Sequence, residues 1–203
     1  MFLTKTPTII KKYYPKLVWE VPNAGKKIYL TFDDGPIPEI TEWVLDMLMQ
    51  KNIKATFFCI GENVSKYTSV YKRILAEGHA VGNHTHNHLN GWKTGRGKYL
   101  EKVEECHKVV ASNLFRPPYG RIKKSQVKKL ATTYKIIMWD VLSGDFDQKT
   151  LPEKCYENVV KNTVSGSIIV FHDSFKAERN LKHALPKAIE YLLAQGFVFD
   201  VLK

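Results

Sequence analysis

Short apolar runs alternate with longer stretches of helical period from residue 28 to the end of the chain, and this alternation constrains the fold more than any other feature. Strands are expected at 28–33, 55–60, 80–83, 115–116, 135–141, 167–171 and 197–202. Helices are expected at 40–51, 67–77, 99–112, 125–133, 152–160 and 181–195; in the first, Val44, Leu45, Leu48 and Met49 recur at helical spacing. A helix between two strands returns the chain to the same end of the sheet, so the strands run parallel, and the fold class is α/β, a parallel sheet or barrel with peripheral helices. With 203 residues, 44% of them hydrophobic, the chain can bury one sizeable core. The expected organisation is a single domain over 27–203, preceded by a segment at 1–26 that packs across one end of the barrel. That segment is basic and aromatic, with Lys11, Lys12, Tyr13, Tyr14, Lys16 and Trp19; a small membrane-surface or partner contact is the alternative reading of it.

The run Ile28-Tyr29-Leu30-Thr31-Phe32 ends in Asp33-Asp34-Gly35-Pro36. A strand interior has no use for adjacent carboxylates, and Gly-Pro stops the strand, so both acids sit at its carboxyl end. Neighbouring strand residues point to opposite faces, but where the chain bends the two side chains can take different tasks in one pocket. An Asx-type turn before Gly-Pro would account for the pair equally well on its own. The segment Asn83-His84-Thr85-His86-Asn87-His88 adds three of the seven histidines within five positions. His84 and His88, four apart, can face one ion from a helical turn or tight loop, and His86 could replace either in a loop. With Asp34 they complete the two-imidazole, one-carboxylate set of a catalytic metal site that keeps one position open.

Here the chain resembles the NodB-homology polysaccharide deacetylases, carbohydrate esterase family four. Thr31-Phe32-Asp33-Asp34-Gly35-Pro36, His84-Thr85-His86-Asn87-His88, Arg116-Pro117-Pro118-Tyr119-Gly120 and Val170-Phe171-His172-Asp173 match the first, second, third and fifth motifs of that family. The fourth, Trp139-Asp140-Val141-Leu142-Ser143-Gly144-Asp145-Phe146, departs from it with Leu142 in place of an Asp and Phe146 in place of a Trp. The resemblance spans residues 27–202 and implies a distorted (β/α)7 barrel of the NodB type. It further implies that Asp33 is the general base, that Asp34, His84 and His88 hold the metal, and that His172 is the general acid. Tyr119 would supply a backbone N–H to the oxyanion, Arg116 would keep Asp33 ionised, and Asp145 would orient His172. Pro117 and Trp139 would line the substrate side, with Phe146 and Val170 around the acetyl methyl. Phe lacks the bulk and the N–H donor of Trp, so the departures bear on the acyl pocket and not on the metal.

The implied reaction is metal-dependent removal of an N-acetyl group from an amino sugar in peptidoglycan or a chitin-like oligosaccharide. Zinc is the favoured cofactor, one divalent ion, with cobalt, nickel and iron also compatible with these donors. Hydrolysis of a non-glycan, nucleotide-linked or lipid-linked amide at the same site is the alternative, and a catalytically inactive glycan-binding module a remoter one. The loop Gly91-Trp92-Lys93-Thr94-Gly95-Arg96-Gly97-Lys98 is glycine-rich and basic but lacks the spacing of a phosphate loop, so it reads as a surface loop whose Trp92 can stack on a sugar. The net charge of +11 points to a polyanionic partner, nucleic acid or an anionic cell-envelope glycan, yet the lysines follow no nucleic-acid motif and no nucleic-acid partner is expected. Cys59, Cys106 and Cys155 are far apart, without a Cys-x-x-Cys, and are expected as reduced thiols. No run has the length of a signal or transmembrane segment, which favours a cytoplasmic location, or the cell envelope or secretion if a leader is missing.

Overall fold

The computed structural model describes residues 2–203. Its centre is β2 (Lys27–Asp33), buried from Ile28 to Asp33 and paired in parallel with β3 (Thr56–Cys59) on one side and β8 (Ile168–His172) on the other. Beyond β3 lie β4 (Ala80–Asn83), β5 (Leu114–Phe115), β6 (Lys135–Ile137) and β1 (Leu17–Val18); beyond β8 lies β7 (Val141–Leu142), and β9 (Val198–Phe199) pairs with the start of β2. All these pairings are parallel. A sheet whose strands are buried on both faces reads as nearly continuous apolar sequence, which is why these segments stand out along the chain.

The two faces of the sheet have different neighbours. Ile28, Leu30 and Phe32 point outward with Phe57, Ile169 and Phe171, against α2 (Ile40–Gln50), α4 (Thr68–Ala76), α7 (Pro152–Val160) and α8 (Glu178–Ala194). Each fully buried side chain of this kind contributes about 1.5–3 kcal/mol. The alternate residue Tyr29 turns inward and packs with Phe58, Leu114, Ile137, Ile168 and Leu202 inside the curled sheet. The remaining helices are α1 (Thr8–Tyr13), α3 (Gly61–Lys66), α5 (Arg96–His107) and α6 (Lys124–Leu130). Among the described residues no helix is long and apolar enough to cross a membrane. The three cysteines are free and buried.

The stretch expected as one strand at 135–141 is two. The chain leaves β6, next to the edge strand β1, and joins β7 at the opposite edge, so residues 138–140 cross the seam of the barrel. Met138 N donates to Val18 O in β1 (2.7 Å) and Asp140 N to Ile168 O in β8 (3.0 Å), one bond to each side of the seam. The amino-terminal segment lies along the same seam: β1 pairs with β6, Lys5 bridges Val141, and Glu20 bridges Ser167. The Asp140 carboxylate is fully buried there, accepting from Lys5 (2.5 Å), Lys11 (2.6 Å) and Ser167 Oγ (2.6 Å). Paired charges of this kind are needed because a lone buried carboxylate is too costly to stay ionised.

Candidate active site

The candidate residues converge at the carboxyl ends of the strands, the end at which β/α barrels carry their chemistry. Asp33 is the last residue of β2 and lies in register with His172, the last residue of β8. Asp34 follows at φ 88°, which turns its side chain away from the course of the strand. The turn is held on both sides: Gly35 N donates to the buried Asp173 carboxylate (3.0 Å), and Asn63 Nδ2 donates to Asp34 O (2.8 Å). Asp173 also accepts from Thr41 Oγ1 (2.6 Å). Asp173 was not singled out from the sequence, although an acid directly after His172 was the available signal. Burial, with the nearby Asp34 charge, raises its pKa to about 8 even though Thr41 and Gly35 oppose the rise.

His84 and His88 reach Asp34 from a loop and not from a helix. Their Nε2 atoms lie 3.8 and 3.1 Å from Asp34 Oδ1, and one ligand atom from each of the three residues falls within 4.8 Å of the others. Thr85 (φ 62°) and His88 (φ 53°) give the loop its tight course, with Thr85 N donating to Asn83 Oδ1 (2.9 Å) and Leu89 N to Thr85 Oγ1 (3.0 Å). His86, the alternative ligand, points elsewhere, with its Nε2 3.2 Å from Glu105.

The donor set fits a divalent cation. Arg116 O can only accept a hydrogen bond, so His84 Nδ1, 2.8 Å away, carries the proton and Nε2 keeps its lone pair. Burial pushes the His84 pKa down to about 4, so the ring is neutral, as a ligand must be. Burial alone would raise the Asp34 pKa, but the hydrogen bond from His88 and the charge of His172 hold it well below the usual carboxylate range.

Arg116 is fully buried inside the barrel, its guanidinium 4.0 Å from the centroid of the Phe58 ring. Nη1 donates to Asp33 Oδ1 (2.7 Å) and Thr31 Oγ1 (2.8 Å), and Nη2 to Met138 O (3.0 Å). Burial lowers the Arg116 pKa while Asp33 raises it. Buried Pro117 and Pro118 lead into a 3-10 turn in which Tyr119 sits at φ 61°. Gly120 N and Arg121 N donate to the Pro117 and Pro118 carbonyls, and among the described residues no backbone carbonyl accepts from Tyr119 N. The Tyr119 ring lies on His88, with centroids 4.6 Å apart.

On the other side, His172 Nδ1 lies 2.8 Å from Asp145 Oδ1, and His172 N donates to Asp145 Oδ2 (2.7 Å). Ser143 Oγ donates to Asp145 Oδ1 (3.0 Å), so the fully buried carboxylate is fixed from three directions. Burial would lower the His172 pKa, but the charge and hydrogen bond of Asp145, with smaller contributions from Asp34 and Asp33, lift it to about 9. Phe146 presents to the His172 ring at 5.1 Å between centroids and is backed by Phe2 at 5.2 Å, a contact from the amino-terminal segment that sequence reasoning missed. Val170 is fully buried one pleat below His172, in register with Thr31 and Leu142. Trp139 is half-buried against Gly120, where an added Cβ would come within 2.5 Å of its ring.

Comparison with known proteins identifies the family and the fold. The family model "Polysaccharide deacetylase" matches residues 20–136. A peptidoglycan-N-acetylglucosamine deacetylase of Bacillus cereus is 37% identical over 190 residues, covering 90% of this chain and 89% of that protein. The peptidoglycan-N-acetylglucosamine deacetylase PgdA of Listeria monocytogenes is 32% identical over 202 residues, 95% of this chain and 42% of its own length. Among solved structures, a peptidoglycan N-acetylglucosamine deacetylase in complex with 4-naphthalen-1-yl-N-oxidanyl-benzamide superposes with a TM-score of 0.89 at 33% identity, over 97% of this chain and 95% of the other. Strands β2 to β5, with the ends of β2, β4 and β5 that carry the first three motifs, fall within the matched segment; the chain belongs to the polysaccharide deacetylase family.

Proposed function

We propose that the protein removes the N-acetyl group from N-acetylglucosamine residues of peptidoglycan, with Asp33 as base and His172 as acid beside a divalent cation held by Asp34, His84 and His88. The observation that carries the reading is the pairing of Asp33 with His172: two proton-handling groups in register on neighbouring strands, next to three metal-type donors. The names of the relatives support the substrate. Peptidoglycan as substrate puts the reaction in the cell envelope, one of the locations expected if a leader is missing.

A bound divalent ion, zinc being favoured by this donor set, lowers the pKa of a water molecule and polarises the acyl oxygen. The protein's own groups supply the rest. Arg116 occupies Asp33 Oδ1, which leaves Oδ2 to take the proton from the attacking water. Tyr119 N–H is available to the acyl oxygen as it gains negative charge. Nδ1 of His172 donates to Asp145, so the proton on Nε2 is the one delivered to the departing amine, and a pKa of about 9 keeps it there at neutral pH. Phe146, packed against the His172 ring, covers one side of this space. The test is acetate release from peptidoglycan fragments and N-acetylglucosamine oligomers by metal-stripped protein restored with zinc or cobalt. Asp33→Asn is expected to lower the rate by about 10²–10⁴-fold while metal binding persists. Metal binding without release from either substrate would refute the proposal.

A further inference from the structure

Two stretches of the sequence are not used by this chemistry, the basic aromatic segment from Lys11 to Trp19 and the loop around Trp92, and the fold brings them together. Between them lies a groove of about 740 Å³, within the range of small-ligand sites. Tyr13 and Trp19 stand on one side and Trp92 on the other, with Met138 and Gly120 also in the wall. The rings are held in place. Trp92 Nε1 donates to Ile122 O (3.2 Å) beneath the Arg121 guanidinium at 5.3 Å, Tyr13 packs edge-on to Tyr14 at 4.9 Å, and Lys124 Nζ lies 5.3 Å from the Tyr13 centroid. Both residues are nevertheless largely exposed, Trp92 60% and Tyr13 66%. Lys16, Lys124 and Lys128 also line the groove, and no carboxylate does among the described residues.

The groove reaches the turn that carries Tyr119. Gly120, part of its wall, follows Tyr119, whose ring rests on His88. A single 3-10 turn therefore has the candidate metal site on one side and the groove on the other. Fixed, exposed aromatic rings suit the apolar C–H faces of sugar rings, and three lysines without an acid suit an anionic substituent on the same polymer. A neutral oligosaccharide would have no use for the lysines, and an apolar occupant would leave them unpaired.

We infer that this groove binds the continuing strand of a carboxylate-bearing glycan several sugars away from the residue being deacetylated. The inference rests on the proposed deacetylase reading and specifies which form of glycan the site selects. It is tested with the full chain, the zinc-restored protein, on two substrate series: muramyl peptide-bearing strands of increasing length, and neutral N-acetylglucosamine oligomers. Lys124→Glu with Lys128→Glu is expected to raise KM for long anionic strands by about tenfold or more, to flatten its salt dependence, and to leave kcat and the short neutral oligomers unchanged. Trp92→Ala is expected to raise KM for long strands of both series by about tenfold and to spare short ones. Equal effects on short and long substrates, or no effect of the lysine changes, would overturn the groove. Direct calorimetric titration of a muramyl strand separates the two proposals: binding that the lysine variant loses, with no acetate released by wild type, would retain the groove and refute the deacetylase reading. Saturable binding to phosphatidylglycerol vesicles with none to glycan would overturn the groove in favour of a membrane contact.

Discussion

The two sides of the active site are built by different means. On the metal side the backbone is forced: Asp34, Thr85, His88 and Tyr119 are four of the seven non-glycine residues with positive φ among the described residues. On the acid side His172 simply ends the regular strand β8, and Asp145 meets it from the loop after β7. The difference follows from what each side must do. Successive residues of a strand point to opposite faces, so a regular strand cannot aim Asp33 and Asp34 into one pocket, and His84 and His88 meet Asp34 from a loop with two left-handed residues. Left-handed positions re-aim these side chains at a cost of about 1–3 kcal/mol each, and they persist because hydrogen bonds from Gly35, Asn63 and Leu89 fix the loops. The acid side has one proton to deliver and needs only a well-oriented imidazole.

Breaking the metal side should have the larger effect. His84→Ala is expected to bring bound zinc from one equivalent to near zero after gel filtration and to lower acetate release by more than the roughly 100-fold that follows loss of an outer hydrogen-bond partner. Retention of a full equivalent of zinc, measured by mass spectrometry, would show that the three donors are not the ligand set. Asp145→Asn tests the other side. It should keep the metal, lower kcat/KM roughly a hundredfold at neutral pH, and move the alkaline limb of the profile downward. In the wild type the limb lies near the His172 pKa of about 9, shifted somewhat lower because a bound cation cancels the contribution of Asp34. Without Asp145, burial holds the imidazole pKa down and its acidic form is lost earlier. The stability effect has the opposite slope to that of a carboxylate. Because the folded pKa of His172 is raised, the pair stabilises the fold fully below about pH 6.5 and progressively less as pH rises through about 9, so the difference in Tm between wild type and variant should narrow across that window. An alkaline limb unmoved by the substitution would assign it to another group.

The same contrast explains what the sequence made legible. Residue type alone marked Asp34, His84 and His88, because few patterns other than a metal site gather two imidazoles and an acid behind strand ends. It could not say which of His84, His86 and His88 face inward, since that depends on the φ values of Thr85 and His88 and on Glu105 drawing His86 aside. The resemblance put Arg116 beside Asp33, but its full burial depends on Asp33, Thr31 and Met138 converging from segments distant in sequence. The alternation of strands and helices was plain because parallel strands buried on both faces are apolar throughout. The division of 135–141 into β6 and β7 was hidden because Asp140 is satisfied by Lys5 and Lys11, more than a hundred residues away. Likewise Phe2 against Phe146 could not be foreseen, since nothing in a short amino-terminal sequence says which end of a barrel it will meet.

The smallest effect, and the sharpest test of the comparison, is expected from Tyr119→Gly. If the task of Tyr119 is to hold a backbone N–H toward the acyl oxygen, the side chain is dispensable and φ 61° is the feature that matters. Glycine adopts that conformation without the steric penalty of a Cβ, which offsets both its greater freedom in the unfolded chain and the lost contact with His88, so stability should change by no more than about 1 kcal/mol. The N–H remains, so kcat should fall less than about tenfold, against the 10²–10³-fold that removal of such a donor typically costs. A loss in that larger range with the metal still bound would mean that the ring on His88, and not the left-handed backbone, is what the turn contributes, and the division between a conformationally strained metal side and a regular acid side would have to be redrawn around packing.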